Sequence, residues 1–542
     1  MQVDLDSVID RPSFKSSVCI VGAGVAGLIL ARALAKVGIE VHLLEGGGPL
    51  PESRSQDLYA VQMAGMHHEG ATKGRFRVFG GSSTRWGGQL LTFTPDIFDP
   101  SAGMPSQAWP LRIAEIESHY SEVRDLMHVS HHSPAARRIK SLSTGRAVDS
   151  ADINVRFSKW APFSKRNLAS TLGPECLASE RVTVFFHANV AGIRFREGSD
   201  RVETVTAKNY AGSIFEFESA QFIICAGTIE TCRILLAAKA ALGARIGKTM
   251  DSVGRYFHDH LSFEAATITG TAKRGFVKLF TPSLIGDTLH TPKLEASVGL
   301  RSRENLLAVM AHFAIEEPEG SGIAAVRTFL QAIQRREGRS AVLKSGLALP
   351  RNSVDIAKLI WGARVKKQRV ITDRASITLR IDCEQATNAA NRITLSEDCD
   401  AVGMPKAVIA WRISEHERRT VGIFAKAVDT YLDQLGFGAI AWNPALSEPD
   451  DSWLRFTNDA FHPMGGTRMG TDPYTSVVDS NLKVHGTANL FVASCSTFPA
   501  GGSSNPTFTL MALTLRLGAH LTDMVKAGAT PSRVSLTRAA HA

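Results

Sequence analysis

The chain has 542 residues, 44% of them hydrophobic and 21% charged, which is enough apolar material for a sizeable core, too few charges for disorder, and room for a large two-domain enzyme. The net charge of +9 is local: residues 324–369 carry eleven Lys and Arg against Glu337 and Asp355, and the other 496 residues balance at fifty of each sign, which argues against a basic groove for nucleic acid. Seven scattered cysteines form no CxxC pair and no His/Cys metal spacing, so free thiols in a reducing compartment and no metal site are expected.

The N-terminus carries acids where a signal peptide has positive charge followed by an apolar run, so a cytoplasmic location is expected. Val18–Val21 then reads as a short buried strand, followed by Gly22, Gly24 and Gly27 in G-x-G-x-x-G spacing. The first glycine turns the chain, the second admits a pyrophosphate to the backbone, and the third lets a helix from about Val25 pack on the strand. That helix aims its free N–H groups and positive dipole end at the phosphates. Gly38 closes it, Ile39–Leu44 gives a second strand, and Glu45 at the tip is placed to accept hydrogen bonds from both ribose hydroxyls and to repel a 2′-phosphate. Arg32, Lys36, Glu40 and the three glycines argue against a membrane span. An ADP-containing dinucleotide is implied; NAD and FAD stay open at this point.

A loop at 46–55 leads to His67 and His68, which read as a solvated loop pair rather than metal ligands. Residues 77–90, RVFGGSSTRWGGQL, are too rich in glycine for an element interior and suit a loop against a large flat ligand, with Trp86 covering an edge. A helix is expected near Ile113–Met127, then a solvated turn with His128, His131 and His132. Arg181–Phe186, Ile193, Val202–Ala207 and Ile214–Phe217 read as a small antiparallel meander. Phe222–Ile224 gives another apolar strand, ending in Cys225-Ala226-Gly227 and a helix.

From 263 to 413 the pattern alternates, as in residues 375–383, and indicates a half-buried antiparallel sheet in a second domain. The basic segment 324–369 interrupts it as one or two helices: a solvated face, a dock for anionic lipid or an acidic partner, or a lid. Ser414 and Glu417 form a capping box before a helix with an apolar stripe from Val421 to Leu435, closed by Gly436. Two late segments follow, FHPMGGTRMG at 461–470 and the strand–turn–helix of 489–521, whose Gly-Gly-Ser-Ser-Asn-Pro turn opens a helix at about Thr507. NAD enzymes need only the first glycine turn, whereas a cofactor as long as FAD can use both.

These pieces together, GAGVAG with Glu45, GGSSTRWGG, CAGTIET, VGRYFHDH, EQATNAANRITLS, HPMGGTRMG and GGSSNPTFT, resemble the glucose–methanol–choline (GMC) family of flavin oxidoreductases across nearly the whole chain, nearest its branch of pyranose oxidases and fructose or gluconate dehydrogenases. The resemblance implies an α/β fold, α+β overall: a Rossmann-like FAD-binding domain of the glutathione-reductase type from 16–100, 176–262 and 456–525, and a substrate domain on an antiparallel sheet from 101–175 and 263–455. It implies His462 as the base and Asn505 as its partner beside the flavin. A neutral imidazole with a pKa near 6.5 suits removal of a hydroxyl proton at neutral pH. Implied FAD contacts are Gly22, Gly24, Ala26, Gly27, Glu45, Gly81, Ser82, Trp86, Gly87, Gly88, Gln89, Val190, Ala226, Gly227, Ser494, Asn505, Pro506 and Thr507. His258 and His260 match a structural element of the family and are expected to be non-catalytic.

Two positions depart from the family pattern. Arg85 stands where covalently flavinylated relatives have histidine, so FAD is expected to be noncovalent, and Ser494 stands where many members have aspartate. The expected reaction is oxidation of a sugar, glycoside or polyol hydroxyl to a carbonyl, with oxygen, a quinone or a carrier protein as electron acceptor. The rivals are an NAD-dependent alcohol dehydrogenase and a membrane-docking flavoprotein without that activity.

Overall fold

The computed structural model describes all residues except 10–12, 100–108, 132–149, 248, 270–271, 336, 348, 363–364, 366–369, 373, 438–439, 449 and 529–542; His132 lies outside the described residues. The first of its sheets has Gln2–Asp4, Val182–Phe186, Val41–Leu44, Ser13–Val21 and Ile214–Ile224 side by side and parallel. Leu490–Val492 runs parallel to the last half of Ile214–Ile224, and Val202–Lys208 pairs antiparallel with its first half. Val18, Ile20, Leu43, Val184, Phe222 and Phe491 are fully buried, which fits a parallel sheet covered on both faces. The helices Val25–Lys36 and Pro506–Gly528 pack on each other, with Gly518 against Leu30 and Ala33.

Two expectations are corrected here. Val182–Phe186 belongs to the parallel sheet beside Val41–Leu44, and the expected strands at 214–217 and 222–224 are one strand, Ile214–Ile224, bridging the parallel core and a meander of Asn189–Phe195 and Val202–Lys208. Alternation alone carries no information about which neighbour a strand takes.

The second sheet is antiparallel. Its order is Ala441–Trp442, His260–Thr267, Ser376–Glu384, Val309–Glu316, Thr288–Ala296, Ile153–Trp160 and Gln89–Leu90. Its apolar face, with Leu261, Phe263, Leu379, Ile381 and Phe313, joins Val421, Phe424 and Val428 of the Glu415–Gln434 helix in a second core. The capping box of Ser414 and Glu417 is present. The elements do not respect the expected domain ranges everywhere: Gln89–Leu90 lies in the second sheet, and Ala114–Leu126 packs Ile116, Tyr120 and Val123 into the core of the first.

Among the described residues, the segment 324–369 forms three helices rather than one or two, Gly322–Gln334, Arg339–Gly346 and Ser353–Trp361, with breaks at Gly338 and Pro350. The Gln334 amide donates to the Trp86 carbonyl at 3.0 Å, seating the first of them on the 81–88 loop. Among the described residues no helix is long and apolar enough to cross a membrane.

Candidate active site

Strand register brings four distant segments to one place. Val21 pairs with Leu44 and Ile224, and Ile224 pairs with Val492, so the next residues, Gly22, Glu45, Cys225 and Ala493, emerge together at the carboxyl ends of the parallel strands. Open α/β sheets bind ligands at such ends. A groove of about 210 Å³ opens there, lined among others by Gly22, Gly24, Ala26, Glu45, Gly81, Ser82, Ala226, Gly227, His462, Ser494, Pro506 and Thr507. A smaller recess of about 50 Å³ continues past Glu45 to Val190 and Arg77.

The groove fits a long dinucleotide. A Cβ added at Gly24 or Gly227 would meet nothing within 4 Å, so both backbones lie bare to the groove. Gly22 cannot change, because at φ +100° a Cβ there would stand 2.7 Å from the Cys225 carbonyl oxygen. Gly27 lies against the Gly22 carbonyl and lets the helix close on the turn, so its role is packing. Glu45 accepts from the N–H groups of Ala23 at 3.0 Å and Gly47 at 2.9 Å, and each oxygen keeps a lone pair for a further donor. Burial raises its pKa against the pull of Gly47, Arg77 and Ala23.

At the far end stand His462 and Asn505. The Asn505 amide nitrogen lies 3.1 Å from His462 Nε2, and its buried Oδ1 has no hydrogen-bond partner among the described residues. On the other side, His462 Nδ1 lies 3.0 Å from His260 Nδ1. His260 Nε2 faces the carbonyl oxygens of Gly502 at 2.8 Å and Gly501 at 3.2 Å, so it must carry a proton and donate. His260 Nδ1 is then the acceptor, His462 Nδ1 the donor, and His462 Nε2 is unprotonated, its lone pair accepting the Asn505 amide N–H. Burial, then the neighbouring His260, pushes the His462 pKa down to about 3. The expected value near 6.5 is thus corrected: the imidazole is neutral at ordinary pH, but because its charged form is disfavoured and not because it titrates there.

The His462 loop is clamped from behind. The Asp259 carboxylate accepts the His462 N–H at 2.9 Å and lies 3.2 Å from His68 Nε2. Asp459 takes the N–H groups of Glu69 at 2.6 Å, Gly70 at 2.8 Å and Phe461 at 3.2 Å. His68 is therefore a buried clamp residue and not a solvated loop histidine; burial would lower its pKa, but the bond to Asp259 and the charges of Asp259 and Asp459 raise it. Only His67 of that pair is exposed. Phe461 sits at φ +59°, a backbone strain that turns the next residue, His462, toward the groove.

The remaining expected contacts are spread out. The Trp86 indole donates to the Arg166 carbonyl at 2.7 Å, Gly87 abuts Trp160, and Gln89 donates to Ser158 at 2.7 Å, so Trp86, Gly87, Gly88 and Gln89 flank the second sheet instead of lining the groove. Ser494 accepts from the Ser496 N–H at 3.1 Å. His258 donates from Nδ1 to the Tyr256 carbonyl at 2.9 Å, and burial lowers its pKa to about 4. Sequence reasoning missed the direct contact of His260 with His462, and missed Glu384, whose Oε1 accepts the Gly502 N–H at 2.8 Å. Sequence spacing held no signal for either, because strand register sets His260 opposite Glu384, on the face away from Leu261 and Cys383.

Comparison with known proteins gives matches at both ends of the groove. Residues 387–514 match the family model of GMC oxidoreductase and residues 15–76 that of an FAD binding domain. The chain is similar to the fructose dehydrogenase large subunit of Gluconobacter japonicus, 23% identical with 96% of this chain and 100% of that one covered. It is also similar to paromamine 6'-oxidase of Streptomyces fradiae, 22% identical over 92% of this chain and 90% of the other. Among solved structures, pyridoxine 4-oxidase from Mesorbium loti shares the fold, with a TM-score of 0.57 at 16% identity, covering 93% of this chain and 99% of that one.

Proposed function

We propose that this chain, which belongs to the GMC family of FAD oxidoreductases acting on CH–OH donors, oxidises a hydroxyl group of a sugar, glycoside or polyol to a carbonyl, with His462 as the base. The observation that carries the reading is the Gly502–His260–His462–Asn505 chain, which leaves an unprotonated Nε2 beside the unpartnered Asn505 Oδ1.

Gly22, Gly24, Ala226 and Gly227 would hold the phosphate-bearing part of FAD, Glu45 the ribose, and Ser494, Pro506 and Thr507 the other end. When bound, FAD supplies the two-electron acceptor. The chain's own work is on the alcohol oxygen: His462 Nε2 takes the hydroxyl proton as the C–H bond opens, and the Asn505 amide fixes the oxygen's direction. A buried imidazole that resists protonation holds the alcohol proton only while the carbonyl forms, and then releases it. Sugar substrates are supported by the names of the relatives, a fructose dehydrogenase and a paromamine 6'-oxidase. We read FAD as noncovalent, because Arg85, where a histidine would form the link, is exposed and lies over the Phe76 ring at 4.6 Å.

The test is anaerobic incubation of the purified yellow protein with a panel of sugars, glycosides and polyols. Flavin reduction by at least one is expected, as is release of all flavin on acid precipitation. His462→Ala should keep FAD and lose reduction by about 100-fold or more. Full activity in that variant defeats the base assignment, and colour retained in the acid pellet defeats noncovalent binding.

A peripheral contact is supported by one segment. Ile333, Leu343, Leu347, Val354 and Trp361 are 48–74% exposed in the segment 324–369, whose sequence carries eleven basic residues, the pairing of apolar and cationic groups that suits an anionic lipid surface.

A further inference from the structure

The second sheet turns its apolar face to the Glu415–Gln434 helix, and its opposite face, which carries His260, looks toward His462. Register defines rows of polar residues on that face. His260 stands opposite Glu384, Ser262 opposite Asp382, and Glu264 opposite Arg380. Further across, Met310 stands opposite Asp382, His312 opposite Arg380, and Lys293 opposite Arg156.

Such a buried charged face is costly unless each group is paired. Most are paired within the protein. Arg156 donates to Glu295 at 2.9 Å and to the Thr92 carbonyl at 2.6 Å, the Ser503 hydroxyl donates to Glu295, and Arg380 donates to Glu264 at 2.6 Å. Two groups are left over. Asp382 pairs through Oδ2 with His312 Nδ1 at 3.0 Å and has the Ser262 hydroxyl beside it, but among the described residues its buried Oδ1 accepts no hydrogen bond. Lys293 is 4% exposed, and among the described residues its ammonium makes no hydrogen bond; burial lowers its pKa to about 8 even with Asp382 near. The charges of both reach His462. Together with Asn505 Oδ1, the unsatisfied set is one cationic donor and two oxygen acceptors around the base.

We propose that Lys293 and Asp382 form the recognition subsite of this active site, gripping the hydroxyl groups that neighbour the oxidised one on a neutral, polyhydroxylated substrate. The proposal rests on the alcohol-oxidising reading above. A hydroxyl accepts from Lys293 and donates to Asp382 or Asn505, so a vicinal diol satisfies the whole set. The opposite charges of the pair nearly cancel toward a neutral ring, so no net charge is asked of the substrate and each group is met by a hydroxyl.

The experiment uses the full-length FAD-loaded enzyme with D-fructose, D-glucose and D-sorbitol as polyhydroxylated probes, and benzyl alcohol as a monohydric one. Lys293→Met and Asp382→Asn are each expected to lower kcat/KM by about 10- to 100-fold for the preferred polyhydroxylated probe, mainly through KM, and by a factor at least about fivefold smaller for benzyl alcohol, which shares only their effect on His462. The double variant, which removes both charges together, covers the case in which a single variant leaves an unpaired buried charge and fails to fold. Independently of turnover, millimolar probe should raise the Tm of the wild-type holoenzyme and not that of the variants. Equal losses for both classes of alcohol, or no loss, overturn the subsite. Oxidation of benzyl alcohol but of no polyhydroxylated probe also overturns it while leaving the alcohol-oxidising reading intact; if wild-type enzyme oxidises no alcohol, that parent reading fails and the subsite with it.

Discussion

His260 Nδ1 lies 3.0 Å from His462 Nδ1, and the far nitrogen of His260 faces the Gly502 carbonyl at 2.8 Å. A carbonyl that can only accept therefore sets, two rings away, which nitrogen of His462 is bare. His260 acts as a positioning residue.

His260→Phe removes the acceptor for His462 Nδ1–H while keeping a ring in place. Turnover is expected to fall by about 10- to 100-fold with FAD content unchanged. Loss of the neighbouring imidazole also lifts a cause of the low His462 value, about 3, so the acid limb of the pH profile should move to higher pH. An unchanged pH profile, measured as kcat/KM against pH, contradicts the positioning role.

The buried histidines make a stability prediction with a definite sign. His462 and His258 are held down at about 3 and about 4 in the fold against 6.5 ordinarily, so below that ordinary value the unfolded chain takes protons that the native state refuses. Their stabilising contribution is complete above 6.5 and declines as pH falls toward the native values. His68 acts in reverse, because its raised native pKa favours the fold below 6.5 and the benefit is lost as pH rises through that native value. His312 and His520 are lowered as well, and four depressed imidazoles against one raised give a Tm that drops between about pH 7 and about pH 5, with a shallower slope in His258→Gln. Thermal unfolding across that range decides it.

Gly22 and Gly24 should separate folding from cofactor binding. Gly22→Val forces a Cβ to 2.7 Å from the Cys225 oxygen at a positive φ and is expected to destabilise the fold by about 3 kcal/mol or more. Gly24→Val points into open space, so the fold should survive while FAD occupancy collapses. Circular dichroism and flavin absorbance read the two effects separately; retained FAD in Gly24→Val contradicts the placement of the phosphates.

The basic helices predict salt-dependent binding to anionic vesicles, with none to neutral ones, and Leu343→Glu with Leu347→Glu, at 70% and 74% exposed positions, should abolish it. Cosedimentation measures it. Failure to bind anionic vesicles at low salt removes the lipid contact.

The local rules written into the sequence determined a good deal. The G-x-G-x-x-G turn with Glu45, the capping box at Ser414, the apolar stripe of Val421–Leu435 and the alternation of Ile377, Leu379 and Ile381 each follow from spacing along one stretch of chain, and the structure forms each of them there. What only the tertiary structure decided are relations between stretches hundreds of residues apart. That Val182–Phe186 pairs parallel with Val41–Leu44, that His68 is buried against Asp259, that Trp86 turns to Arg166, and that His260 fixes the proton on His462 depend on register and packing. The pKa of His462 shows the reason. Imidazole chemistry is a property of the residue, but the desolvation that carries it to about 3 comes from chain brought in from elsewhere, and no spacing rule encodes which neighbours those are.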